Sequence, residues 1–124
     1  MSNLPPPPES LALYIEVLGL DDTLRLLERC GGTKLWIPSG VNNSSTRLRE
    51  KLEEELGKPM TMALIRTFGG SIIKPPMATD WRIVYYAAKG VSAAEIARRL
   101  GRHQETVWLR LKRARDSRQQ SLPL

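Results

Sequence analysis

Apolar residues recur at helical spacing through most of the chain, in short runs cut by glycine and proline. Leu11, Tyr14, Ile15 and Leu18 form the stripe of a helix from Ser10 to about Leu18, closed by Gly19. Asp21 or Asp22 caps a second helix that turns Leu24, Leu27 and Cys30 inward and stops at Gly31-Gly32. Thr33 to Ile37 (TKLWI) reads as a short strand, followed by the turn formers Pro38, Ser39, Gly40, Asn42 and Asn43. Ser44 or Ser45 then caps a helix with Leu48, Leu52 and Leu56 on one face, ended by Gly57. Pro59 suits the first turn of the next helix, which carries Met62, Leu64, Ile65 and Phe68 and stops at Gly69-Gly70. Ser71 to Lys74 (SIIK) is the second expected strand, closed by Pro75-Pro76.

The second set of elements restates the first at an offset of 38 residues. Leu18/Leu56, Gly19/Gly57, Thr23/Thr61, Leu26/Leu64, Gly31/Gly69, Gly32/Gly70 and Pro38/Pro76 are identical, and Leu24/Met62, Leu27/Ile65, Thr33/Ser71 and Leu35/Ile73 are similar. The matches fall at caps, turns and inward positions, where a repeated helix–helix–strand unit needs them. One such unit cannot bury its apolar side, whereas two can. The pattern predicts a four-helix layer with a two-stranded antiparallel ribbon built from Lys34, Leu35, Trp36 and Ile37 and from Ile72 and Ile73. The ribbon joins the two halves of an internal pseudo-dimer, or its edges pair with a second chain.

Beyond the prolines the pattern changes. Thr79 or Asp80 caps a helix with Trp81, Val84, Tyr85 and Ala88 on its apolar face and Gly90 at its end. Helical spacing makes Trp81, Tyr85 and Tyr86 core residues rather than base-stacking aromatics. Ser92 and Glu95 form a capping box, and Ala93, Ile96, Ala97 and Leu100 define the next inner face. Gly101 makes a tight turn, and another helix starts near His103 or Gln104 with Val107, Leu111 and Ala114 inward. Two helices hinged at a glycine, with small Ala97 at the approach and Val107 as the plug, have the spacing of a helix-turn-helix. The fold class expected is mainly α with two short β-strands: a duplicated helix–helix–strand module, then a three-helix helix-turn-helix domain. The expected boundaries are a disordered proline-rich arm over 1–9, the module over 10–76 (repeats about 10–38 and 45–76), the helix-turn-helix domain over 77–116 and a flexible tail over 117–124.

Charge changes the picture most. Between Lys89 and Arg118 there are nine basic residues against three acidic ones, which is the whole net charge of +6. The remainder is balanced, so the positive field is local to the helix pair, as a phosphate backbone would require. With Val107, Leu111 and Ala114 inward, the outer face would read bases with Gln104, Glu105, Trp108, Leu109 and Lys112. Arg98, Arg99, Arg102, Arg110, Arg113 and Arg115 would hold phosphates.

Other chemistry is not suggested. His103 is the single histidine and Cys30 the single cysteine, far apart, so neither a catalytic set, a metal cluster nor an intramolecular disulfide is expected. The Gly-Gly pairs lack the lysine of a phosphate loop, and Glu53, Glu54 and Glu55 read as a solvated face, so no cofactor and no enzymatic activity are expected. No apolar run reaches the roughly 18 residues of a membrane span. No secretory signal is evident, and a cytoplasmic location is expected. Pro5 to Pro8 make an extended arm, read as a plain leader in preference to a ligand for a proline-binding partner.

The helix ending at Gly31-Gly32 and the following Leu35-Trp36-Ile37-Pro38-Ser39-Gly40 resemble the GG-x-x-(Ile/Phe)-Tyr-(Ile/Leu)-Pro strand of the Mor transcription activators of Mu-like phages. A later helix-turn-helix is common to both. The resemblance implies a dimerisation region followed by a DNA-binding domain, acting on a phage or prophage promoter as a dimer and touching host RNA polymerase. The chain departs from that pattern by carrying the helix–helix–strand unit twice, so homodimer and internal pseudo-dimer both stand as expectations. The resulting reading is a sequence-specific regulator of double-stranded DNA. The alternatives are an adaptor whose basic helix docks on an acidic protein, and an accessory module of a recombinase or transposase.

Overall fold

The computed structural model describes residues 4–39 and 46–120. They divide into two compact units, one of residues 9–39 and 46–77 and one formed by 4–8 with 78–120. The first unit holds a 3-10 turn (Glu9–Leu11), helices α1 (Ala12–Leu18) and α2 (Leu20–Cys30), strand β1 (Leu35–Trp36), helices α3 (Thr46–Leu56) and α4 (Lys58–Phe68), and strand β2 (Ile72–Ile73). The second holds α5 (Thr79–Ala88), α6 (Ala93–Leu100) and α7 (Gln104–Gln120). The chain is therefore mainly helical with two short strands, a doubled helix–helix–strand arrangement followed by three helices.

The duplication is physical as well as textual. Gly19 joins α1 to α2 with φ 84° and ψ 165°, and Gly57 joins α3 to α4 with φ 87° and ψ 158°. That backbone region is essentially closed to other residues, and it lets one helix end where the next begins. In each copy the glycine carbonyl accepts from the threonine four residues on, at 3.0 Å from Thr23 and 3.1 Å from Thr61. The helix after Gly19 thus starts two or three residues earlier than a cap at Asp21 or Asp22 would place it; both aspartates lie inside its first turn, where they complement the helix dipole. The alternative caps Ser44 and Ser45 lie outside the described residues.

β1 and β2 pair antiparallel, with Leu35 opposite Ile73 and Trp36 opposite Ile72. The pair Leu35–Ile73 differs by the repeat offset itself, so the pseudo-two-fold axis passes between these residues. The same axis relates two further bonds: Gly32 N–H donates to the Pro75 carbonyl at 2.7 Å, and Gly70 N–H to the Ile37 carbonyl at 2.9 Å. Symmetry fails at the next bond. Ile37 N–H donates to the Ser71 carbonyl at 2.9 Å, but its counterpart is Pro75, which has no N–H. The strands are shorter than the expected Thr33–Ile37 and Ser71–Lys74, because glycine turns and prolines close the ladder at both ends. Leu35, Ile37 and Ile73 face inward; Lys34, Trp36 and Ile72 face solvent.

Helix packing obeys the same symmetry: α1 lies against α2 and α4, and α3 against α4 and α2. Their shared core contains Leu26, Cys30, Ile37, Leu52, Leu56, Met60, Leu64 and Ile73, with Tyr14 and Phe68 meeting ring to ring at 5.6 Å. Burial, then the Glu55 carboxylate, pushes the Cys30 thiol up. Met62, expected inward, is exposed beside Arg49, whereas its repeat partner Leu24 is buried. In α4 the inward positions are Met60, Thr61 and Leu64.

Two glycines predict opposite kinds of damage. A Cβ at Gly19 would meet nothing within 4 Å, so Gly19→Ala should cost only the backbone strain of about 1–3 kcal/mol. A Cβ at Gly69 would lie 2.6 Å from the Ile65 carbonyl oxygen, 3.2 Å from that of Ser39 and 3.3 Å from that of Pro38. Backbone surrounds it, so Gly69→Ala should destabilise the unit more than Gly19→Ala in urea unfolding, despite the ordinary φ of Gly69.

In the second unit α5 packs on both α6 and α7. Trp81, Ile83, Tyr85 and Tyr86 are buried, with Trp81 against Tyr85 at 5.1 Å between centroids. The aromatics are core residues, as their spacing suggested. The helix begins at Thr79, preceded by Ala78 in the left-handed region, so neither Thr79 nor Asp80 is its cap. Trp81 Nε1 donates to the Pro5 carbonyl at 3.2 Å, which ties this part of the proline arm to α5. No helix among the described residues is long and apolar enough to cross a membrane.

Candidate nucleic-acid interface

The interface is built on the connection between α6 and α7. Ser92 Oγ accepts from Glu95 N–H at 3.2 Å and so fixes the start of α6. At the other end Gly101 adopts φ 64° and ψ 37°. Arg102 N–H reaches the Ala97 carbonyl at 3.0 Å and Gly101 N–H that of Arg98 at 3.4 Å, the paired bonds of a Schellman turn. His103 opens α7, its carbonyl accepting from Val107 N–H at 3.3 Å. Ile96 and Val107 are fully buried, and Ala97 and Leu100 nearly so. These positions pack α6 against α7.

With Val107 buried and Leu111 and Ala114 half-buried, the outer side of α7 presents Gln104, Glu105, Trp108, Leu109 and Lys112, all exposed. Trp108 keeps 58% and Leu109 56% of its surface open, an unusual outlay of apolar area on a charged helix. Arg98, Arg99 and Arg102 at the end of α6, and Arg113 and Arg115 on α7, are exposed. Arg110 is placed differently from the other arginines. It is half-buried one turn beyond Val107, with Nε 3.5 Å from Asp80 Oδ2 on α5. Its position calls for an inter-helix tether, where an apolar residue would otherwise pack. α7 also runs to Gln120, through part of the expected tail, because neither glycine nor proline interrupts it before Pro123.

Three features were not anticipated. The Glu95 side chain does not complete the capping box but turns to two arginines: Arg98 Nε donates to Oε2 at 2.9 Å, Arg98 Nη2 to Oε1, and Arg99 Nε to Oε1 at 3.2 Å. Arg99 also lies over the Tyr86 ring, 5.3 Å from its centroid. Arg82 is buried in α5 with its guanidinium 5.8 Å from the same ring. Only the first had a sequence signal, the glutamate three and four positions before two arginines.

Hydrogen bonds from Arg98 and then Arg99 lower the Glu95 carboxyl from 4.5 to about 2. A carboxyl with a depressed value contributes its pairing fully above the ordinary value and loses it as pH falls toward the depressed one. The Glu95 carboxyl carbon should accordingly titrate near pH 2 by NMR, with the pairing intact throughout pH 5–8.

No curated protein and no solved structure matches the chain. Residues 81–123 match the family model of the homeodomain-like domain, so the unit that carries this basic helix pair is a helix-turn-helix domain of a DNA-binding protein.

Proposed function

We propose that the chain is a sequence-specific transcription regulator that reads the major groove of duplex DNA with α7. One observation carries the reading: a buried Val107 and a glycine-locked turn hold an exposed face of Gln104, Glu105, Trp108, Leu109 and Lys112 between exposed arginines. Gln104 is suited to a bidentate contact with adenine, Glu105 to cytosine N4, and Leu109 to a thymine methyl. The exposed arginines fix orientation and supply salt-dependent affinity. A chain of this kind acts as a regulator without catalysis of its own.

The finer assignment follows the motif over 31–40. Its likeness to the Mor activators supports a phage or prophage activator that meets RNA polymerase at a promoter. The doubled unit favours an internal pseudo-dimer over a homodimer, since the Leu35–Ile73 ribbon already supplies the pairing that a single unit would seek in a second chain. One chain then carries one reading helix, and its operator lacks two-fold symmetry.

Selection from random duplexes tests this. Enrichment of one asymmetric sequence is the expected result. A palindrome would return the homodimer, and no enrichment would leave the basic helix to an acidic protein partner. On the selected duplex, Gln104→Ala should lose about 1–3 kcal/mol of discrimination at one base pair and leave the others unchanged.

A further inference from the structure

The Glu95 carboxylate occupies donors that a phosphate would want. Its two oxygens take the Nε and Nη2 of Arg98 side by side, and one of them also takes Nε of Arg99. The Nε–Nη2 edge of a guanidinium is the edge that grips a carboxylate or a phosphate with two parallel bonds. Arg98 has committed that edge to a neighbour on its own helix. Arg99 has committed only Nε and lies over Tyr86, which leaves both of its Nη groups uninvolved with Glu95. The last turn of α6 therefore shows DNA one net positive charge where the sequence suggests two.

We propose that Glu95 is a built-in competitor for the DNA backbone, a residue that holds Arg98 back and so sets how tightly, but not where, the chain binds. This rests on the DNA-binding reading above. The arginines involved touch phosphate rather than bases in that reading, so the restraint is the same for every sequence. Glu95 is thus a positioning residue that acts through Arg98. Its backbone role is separate, because its N–H is bonded to Ser92 Oγ and survives a change of side chain.

Glu95→Gln keeps the size and the main-chain cap and removes the charge. Its affinity for both the selected duplex and a random-sequence duplex should rise by about 3- to 10-fold at 0.1 M salt, with a salt slope steeper by about one. The ratio between the two duplexes should stay as in the unmodified chain. Arg98→Ala in the Glu95→Gln background should remove the gain. Affinity equal to or below that of the unmodified chain, at the same melting temperature, would overturn the inference. So would a gain that persists without Arg98, which would show that lost negative charge alone is responsible. Failure of both proteins to bind any duplex would remove the DNA-binding reading and this inference together, whereas equal binding by both would remove the inference alone.

Discussion

Replacing Val107 with aspartate should unfold the helix-turn-helix unit and abolish DNA binding. Val107 has no exposed surface and sits one turn into α7, where α6 and α7 approach. A carboxylate there would have to lose its hydration without a partner or drive the helices apart. Either cost exceeds about 4 kcal/mol, a large share of what so small a unit can hold in reserve. Val107→Ala is the graded control. It deletes two methyl groups and leaves a cavity, for about 2 kcal/mol. The alanine variant should melt lower yet still bind at low temperature, and the aspartate variant should do neither. Near-normal melting of Val107→Asp by circular dichroism would mean that α7 does not depend on that contact.

The second large effect is electrostatic. The combined variant Arg99→Ala, Arg102→Ala, Arg113→Ala and Arg115→Ala removes four exposed positive charges. Each lost phosphate contact should flatten the dependence of log affinity on log salt by about 0.9, so the slope should fall by roughly 3.5. Affinity near physiological salt should drop on the order of a hundredfold or more, equally for selected and random duplexes. Thermal stability should fall by no more than about 1 kcal/mol, from the lost contact of Arg99 with the Tyr86 ring, since none of the four is buried. Arg110 is left out deliberately. Its link to Asp80 makes Arg110→Ala a change felt first as a small loss of stability, within about 1 kcal/mol. A quadruple variant with an unchanged slope would mean that these arginines do not face phosphate.

Features set by local backbone chemistry were the legible ones. Glycines at fixed spacing marked the turns of both repeats, and the 38-residue offset reappears as the ribbon register Leu35–Ile73. Ser92 and Gly101 bounded α6 because a hydroxyl cap and a left-handed residue act over three or four positions. What escaped depends on neighbours that the sequence does not display. Asp21 and Asp22 look like caps, but Gly19 can close one helix and open the next without a loop, so the cap falls before them. α5 was given Trp81, Val84, Tyr85 and Ala88 as its apolar face, whereas α6 and α7 both pack on it and Arg82 and Ile83 are buried as well. Arg110 counted as a free cation until Asp80, thirty residues away, lay beside it. The tether of Arg98 was hidden because Glu95 satisfies a capping pattern and an ion-pair pattern at once, and geometry chose the second.

The most direct test is amide mapping by NMR during titration with the duplex that selection enriches. The account predicts saturable shifts concentrated from Ser92 to Arg115, largest around Gln104, Glu105 and Trp108, with Leu35–Trp36 and Ile72–Ile73 unmoved. Shifts centred on that ribbon, with α7 silent, would contradict it.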